Sequence, residues 1–200
     1  MEILYKVYNG LYINLTNKCS SACTFCLRQY MDKVGESDVL WLEREPDANE
    51  VIEELKKQDL SQYNEIVFCG FGEPTCALPV LLEVAEWLKK NTDLPIRINT
   101  NGHGSLIAGR DISGELAKCI DTVSISLNNP DPVEYQKLVR SVFGDRAFEG
   151  MIDFAKKCVD NGIKVVMTTV DTTISHEDEE KCRKICNDIG AVYRIRAFEN

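Results

Sequence analysis

The sequence predicts an α/β fold: an open partial (β/α)6 barrel entered through an N-terminal β-hairpin. Three observations carry this. Short β-rich runs alternate with amphipathic helical runs along the 200 residues, which implies parallel strands joined by right-handed crossovers. Six such units fall short of the eight that close a barrel. Several strands also carry polar residues on one face, where a packed barrel interior would be branched aliphatic.

The opening stretch ILYKVYNGLYINLT reads as two β-rich runs joined by Asn9-Gly10, a two-residue hairpin signal. Three cysteines follow on the loop leaving the second run. PDANEVIEELKKQ (46–58) sets Val51, Ile52 and Leu55 on one helical face, and EIVFCG (65–70) is a short buried strand. PVLLEVAEWLKKN (79–91) predicts a helix begun by proline, followed by the strand PIRINTN (95–101). GELAKC (114–119) reads as a short helix and DTVSISLN (121–128) as a strand. DPVEYQKLVR and AFEGMIDFAKKCVDNG are helical, the second stopped at Gly162. The strand IKVVMTTV (163–170), the helix EDEEKCRKICNDIG (177–190) and the strand VYRIRAF (192–198) complete the array.

Side chains along a strand alternate faces. Ser124, Ser126 and Asn128 share one face, with Val123, Ile125 and Leu127 on the other. Arg97, Asn99 and Asn101 repeat the pattern; the first strand offers Asn14 and Thr16, and the last Arg194 and Arg196. Such faces on at least four strands predict a lumen that holds water or a polar ligand.

A hydrophobic content of 44% and a charged content of 28% suit a globular chain, read as one domain over 1–200. No apolar run approaches a membrane span, and MEILYKVYNG lacks the layout of a signal peptide, so a cytoplasmic protein without membrane association is expected. A net charge of −9 argues against non-specific nucleic-acid binding, which needs a basic surface. Nine cysteines in a reducing compartment imply thiols that bind metal or lie buried.

Cys19, Cys23 and Cys26 fall within the eight residues CSSACTFC. A redox dithiol would use Cys23 and Cys26 alone. A structural zinc site would need a fourth ligand from afar, such as His103, Cys69 or Cys76. Buried thiols rarely fall three deep on a loop. An iron–sulfur cluster ordinarily takes four cysteines, so three with no fourth nearby leave one iron open to a ligand that is not protein.

C-x3-C-x2-C with Phe25 before the last cysteine, on the loop after the first strand of a six-fold β/α array, resembles the radical S-adenosylmethionine superfamily. The resemblance implies that Cys19, Cys23 and Cys26 hold a 4Fe-4S cluster whose fourth iron is chelated by S-adenosyl-L-methionine. Gly70-Phe71-Gly72-Glu73-Pro74 is similar to the family's G-G-E-P motif, with Phe71 as the departure; there the segment binds the methionine amino group. Asn99-Thr100-Asn101-Gly102 resembles the T-N-G segment, and Ser124 to Asn128 the ribose- and carboxylate-binding strand. The cofactor residues implied are Phe25, Gly70, Gly72, Glu73, Asn99, Ser126 and Asn128.

The activity implied is one-electron reduction of the cluster by a flavodoxin- or ferredoxin-type reductant. Cleavage of the cofactor to a 5′-deoxyadenosyl radical follows, and the radical takes hydrogen from a substrate the sequence does not identify. Glycyl-radical activating enzymes and deazaguanine synthases share comparable motifs. Outside enzymes, a zinc- or cluster-binding module for electron transfer or assembly competes with this reading. Within the superfamily, YINLTNKCSSACTFCLR, NTNGHGSLIAGRDI and YRIRAFEN are similar to a short TatD-associated subgroup.

Other residues read more plainly. Cys182 and Cys186 are a buried helical pair, Cys119 and Cys158 are core, and Cys69 reads first as a buried strand residue, with a place facing the site as the alternative. His103 reads as a solvated loop histidine, and HEDEEK (176–181) as an acidic first turn favoured by the helix dipole. Arg194 and Arg196 serve either as surface charges or as binders of an anionic group.

Overall fold

The computed structural model describes residues 2–34 and 37–197. One seven-stranded sheet runs in chain order: β1 (Leu4–Val7), β2 (Gly10–Ile13), β3 (Glu65–Phe68), β4 (Ile96–Thr100), β5 (Thr122–Ser126), β6 (Lys164–Val170) and β7 (Val192–Arg196). β1 pairs antiparallel with β2, and every later pair is parallel. Among the described residues β1 and β7 do not pair, so the barrel stays open, as the alternation implied.

The hairpin turn lies one residue earlier than the sequence signal. Val7 pairs with Gly10, leaving Tyr8 and Asn9 as the turn, and Tyr8 takes the left-handed φ of 51°. Gly10 instead begins β2 pressed against the Tyr12 ring, which a Cβ would meet at 3.0 Å.

The crossover helices are α1 (Ala48–Lys56), α2 (Leu78–Asn91), α3 (Gly104–Ala108), α4 (Ser113–Leu116), α5 (Pro132–Val139), α6 (Arg146–Asp160) and α7 (His176–Ile189). Their ends follow local chemistry. Asp47 and Glu50 form a capping box on α1, Asp131 caps α5 ahead of Pro132, and Ser175 caps α7, whose first turn is acidic. Sequence periodicity missed α3, a single turn closed by Gly109 at φ 67°. Among the described residues no helix is long and apolar enough to cross a membrane.

The main core lies between the sheet's outer face and the helices. Ile66, Phe68, Ile96, Ile98, Val123 and Ile125 meet Leu81, Leu88, Met151 and Phe154 there, all fully buried. Cys119, Cys158, Cys182 and Cys186 belong to this core. The inner face differs along the sheet. On β4 to β7 it is mostly polar, but at the β1–β2 corner Tyr5, Leu40 and Phe71 form a second apolar cluster with Val7, Tyr12 and Val34.

That corner corrects the expectation for Asn14 and Thr16. Asn14 is buried with its amide on the Leu40 carbonyl at 2.7 Å, and the Thr16 hydroxyl donates to Glu45. Asn14 Nδ2 and the Thr16 hydroxyl are thus spent on the segment that folds over the sheet edge, while Asn14 Oδ1 is buried beside Gly70 with no hydrogen-bond partner among the described residues. At the other end, Arg97 is paired with Glu65 at 2.6 Å and closes the floor of the lumen.

Candidate functional site

The three motif cysteines lie half-buried on the loop after β2, and all their thiols are free. Four sets of contacts fix that loop. Glu73 N–H donates to Lys18 O at 2.8 Å. Residues 20–24 run beside residues 138–142, with Val142 N–H on Ser20 O, Ala22 N–H on Val139 O and Thr24 N–H on Leu138 O at 2.9–3.0 Å. The Arg28 guanidinium gathers the carbonyls of Asn17, Ser21 and Phe71 at 3.2–3.5 Å. Asn101 Nδ2 reaches Ser20 Oγ at 3.0 Å and Cys19 Sγ at 3.8 Å. Sequence reasoning gave Arg28 and Ser20 no role, because their partners are carbonyls and side chains far along the chain.

The glycines of GFGEP are needed for protein contacts. A Cβ on Gly72 would run into the carbonyl oxygens of Thr16 and Lys18, the latter at 2.6 Å, and one on Gly70 into the Asn14 carboxamide. Close approach therefore locks this loop against the cysteine loop. Phe71, between them, turns into the apolar corner and packs edge-on against Trp41 at 5.1 Å.

Glu73 is 3% exposed at the centre of the site. Its Oε1 accepts from Thr75 N–H, Thr75 Oγ1 and Thr100 Oγ1 at 2.7–3.1 Å, while among the described residues Oε2 accepts only from Asn101 N–H, at 2.7 Å. A carboxylate offers about four lone-pair positions, so Oε2 keeps acceptor capacity. Burial pushes its pKa up, and the donors from Asn101, Thr75 and Thr100 oppose the rise. A cation at Oε2 would hold the carboxylate ionised.

His103 overturns its sequence reading. The ring is fully buried, with Nε2 3.0 Å from Tyr135 OH and Nδ1 3.3 Å from Ser20 Oγ. Burial depresses its pKa to about 4, so the imidazole is neutral at pH 7. Its neighbours Tyr135 and Ser141 arrive from α5 and the segment beyond, which no local pattern announces.

Asn99 lies half-buried on the inner face and accepts from Arg97 through Oδ1. Cys69 follows β3 on that face, with Tyr5 OH donating to its carbonyl at 3.2 Å, and it is half-buried rather than a core strand residue. Ser126 is half-buried beside Thr168, which registers with Arg194, so these three form one row across β5, β6 and β7. Arg194 and Arg196 are exposed. Asn128 is 5% exposed at a left-handed φ of 60°, and its Oδ1 is buried without a hydrogen-bond partner among the described residues. Phe25 sits half-buried within the cysteine loop.

Cys23 is pushed up to about 12, first by burial and then by the charges of Cys26 and Cys19. Cys19 is raised by burial and then by Glu73. Among the described residues no three His, Cys, Asp or Glu side chains converge tightly enough to hold a single metal ion. Half-buried thiols on one loop, close enough to feel each other's charge, suit a larger cationic group that would bind them as thiolates.

The chain is 27% identical to a protein of Methanocaldococcus jannaschii named probable GTP 3′,8-cyclase, covering 94% of this chain and 58% of that one. It is 24% identical to the GTP 3′,8-cyclase of Rhizobium etli, covering 80% of this chain and 42% of that protein. It therefore spans roughly half the length of these curated relatives. The fold is also that of Streptococcus suis SuiB solved with S-adenosylmethionine bound, at a TM-score of 0.70 and 17% identity, over 94% of this chain and 40% of that one. The family model described as the radical SAM superfamily matches residues 13–189, and the chain belongs to that superfamily of enzymes, whose cofactors are a 4Fe-4S cluster and S-adenosylmethionine.

Proposed function

We propose that Cys19, Cys23 and Cys26 hold the cluster and that the inner face beside them holds S-adenosylmethionine. The observation that carries this is three half-buried free thiols on one loop that is tied through Lys18 and Asn101 to the buried Glu73, whose Oε2 keeps acceptor capacity beyond the Asn101 N–H. When bound, the two cofactors supply a 5′-deoxyadenosyl radical that takes hydrogen from the substrate.

The chain's own residues have separate tasks. Glu73 Oε2 accepts the methionine ammonium, and its other oxygen anchors the carboxylate on Thr75 and Thr100. Asn128 Oδ1 and Ser126 receive hydroxyl or amino donors of the nucleoside. Gly70 and Gly72 support the site from behind by letting the loops meet. Phe25 and the apolar corner around Phe71 limit water beside the thiols. An external one-electron reductant is required, and a cytoplasmic setting keeps the thiols reduced.

The substrate is inferred to be polar. Arg194, exposed and in register with the buried Thr168 beside Ser126, places a guanidinium along the open side of the lumen. The relatives' substrate is not carried over from proteins of which the chain spans about half.

The test is anaerobic reconstitution with iron and sulfide, reduction with dithionite, and assay for 5′-deoxyadenosine. Its formation by the wild type and loss in Cys23→Ala is the expected result. A colourless protein holding stoichiometric zinc and forming no deoxyadenosine would reject the reading in favour of a structural clip.

A further inference from the structure

We propose that Asn101 is a positioning residue that raises the cluster's reduction potential by donating a side-chain N–H to the Cys19 sulfur. The inference rests on Cys19 being a cluster ligand, as proposed above.

The geometry fixes both the place and the direction of this donor. Asn101 Oδ1 accepts the His103 backbone N–H at 2.9 Å, so the amide's NH2 end must face the cysteine loop. There Nδ2 lies 3.8 Å from Cys19 Sγ, 3.0 Å from Ser20 Oγ and 3.5 Å from Ser21 Oγ. Two protons serve these acceptors, one for the hydroxyls and one for the sulfur. The residue cannot drift, because its backbone N–H is held by Glu73 Oε2 at 2.7 Å and its neighbour His103 is locked on Tyr135. Among the described residues neither Cys23 nor Cys26 receives a comparable side-chain donor.

The chemistry gives the sign. Reduction adds one electron from an external low-potential reductant, no proton is required, and the added charge is shared with the thiolate sulfurs. A fixed N–H at one sulfur stabilises the more negative state more than the less negative one, so the potential rises. Glu73 acts in the opposite sense, since its charge bears on Cys19. Asn101 binds both groups and offsets the carboxylate where it is felt most.

A purely structural role for Asn101 would hold the loop and leave the potential alone. The experiment is an EPR-monitored redox titration of the reconstituted full chain without S-adenosylmethionine. Asn101→Leu removes the donor. Asn101→Asp keeps Oδ1 for His103 N–H but replaces the donor with an acceptor. Ser21→Ala removes a loop contact and keeps the donor on sulfur. With four irons per chain retained, the midpoint should fall in the leucine variant, fall further in the aspartate variant, and stay at the wild-type value in Ser21→Ala. If Asn101→Leu takes up no iron, Asn101→Asp alone decides. Unmoved potentials in the Asn101 variants, or an equal shift in Ser21→Ala, overturn the inference. A wild type that assembles no 4Fe-4S cluster overturns it together with the reading beneath it.

Discussion

The imidazole of His103 and the phenol of Tyr135 meet at 3.0 Å, tying the turn after β4 to α5 directly beneath the cysteine loop. Because the ring is buried, its folded pKa, about 4, lies below the usual value near 6.5. The unfolded chain therefore takes up a proton that the folded one refuses. The full contribution is present above pH 6.5 and is lost as pH falls toward 4, a swing of ~3 kcal/mol at about 1.4 kcal/mol per unit. Urea unfolding of the reduced, cluster-free chain should show the stability gap between wild type and His103→Gln shrinking across that window. A constant gap would mean the ring titrates normally.

Gly72 should be far less replaceable than Gly114. A Cβ at Gly72 meets backbone oxygens on the cysteine loop, and backbone cannot step aside cheaply. Gly72→Ala should cost about 1–3 kcal/mol, as overpacking does, and lower iron uptake. At Gly114, in α4, the nearest atom is Asn161 Oδ1 at 3.8 Å, so alanine should be neutral or stabilise by up to about 1 kcal/mol. Denaturation midpoints and iron per chain read both.

Asn128 separates folding from cofactor binding. Its left-handed φ suits glycine better than asparagine, so Asn128→Gly should keep or slightly raise stability. Loss of the buried Oδ1 should weaken S-adenosylmethionine binding by about tenfold, the worth of one good hydrogen bond. Calorimetry on the cluster-loaded protein measures it. Unchanged affinity would remove Asn128 from the binding set.

Arg97 and Glu65 should behave as a pair. Their side chains are 15% and 35% exposed, so Arg97→Met strands a half-buried carboxylate and should cost roughly 2 kcal/mol, below the 3–5 kcal/mol of a fully buried pair. Adding Glu65→Gln should restore much of the loss. A double-mutant cycle in urea checks the coupling, and strict additivity would count against it.

Much of the fold was legible because its signals are local. Period-two alternation gave the strands, Asp131-Pro132 and Gly190 marked helix ends, and CSSACTFC announced itself by spacing. The site was legible as a set of residues but not as a set of contacts. His103 follows an Asn-Gly turn and reads as solvated, while the hydroxyls that bury it come from residues 20, 135 and 141. Gly70 and Gly72 look like ligand-facing glycines, yet the nearest obstacles are another loop's carbonyls and an asparagine. The segment around Leu40 has no periodicity, so nothing foretold that it would cover the Asn14 corner.

A closed barrel has its girth fixed by strand number and stagger. Here the ladder stops at β1 on one side and β7 on the other, and four of the five β7 residues are exposed. Among the described residues no ladder joins those two edges, so the girth is not fixed there as in a closed barrel, while the cysteine loop is pinned from four directions.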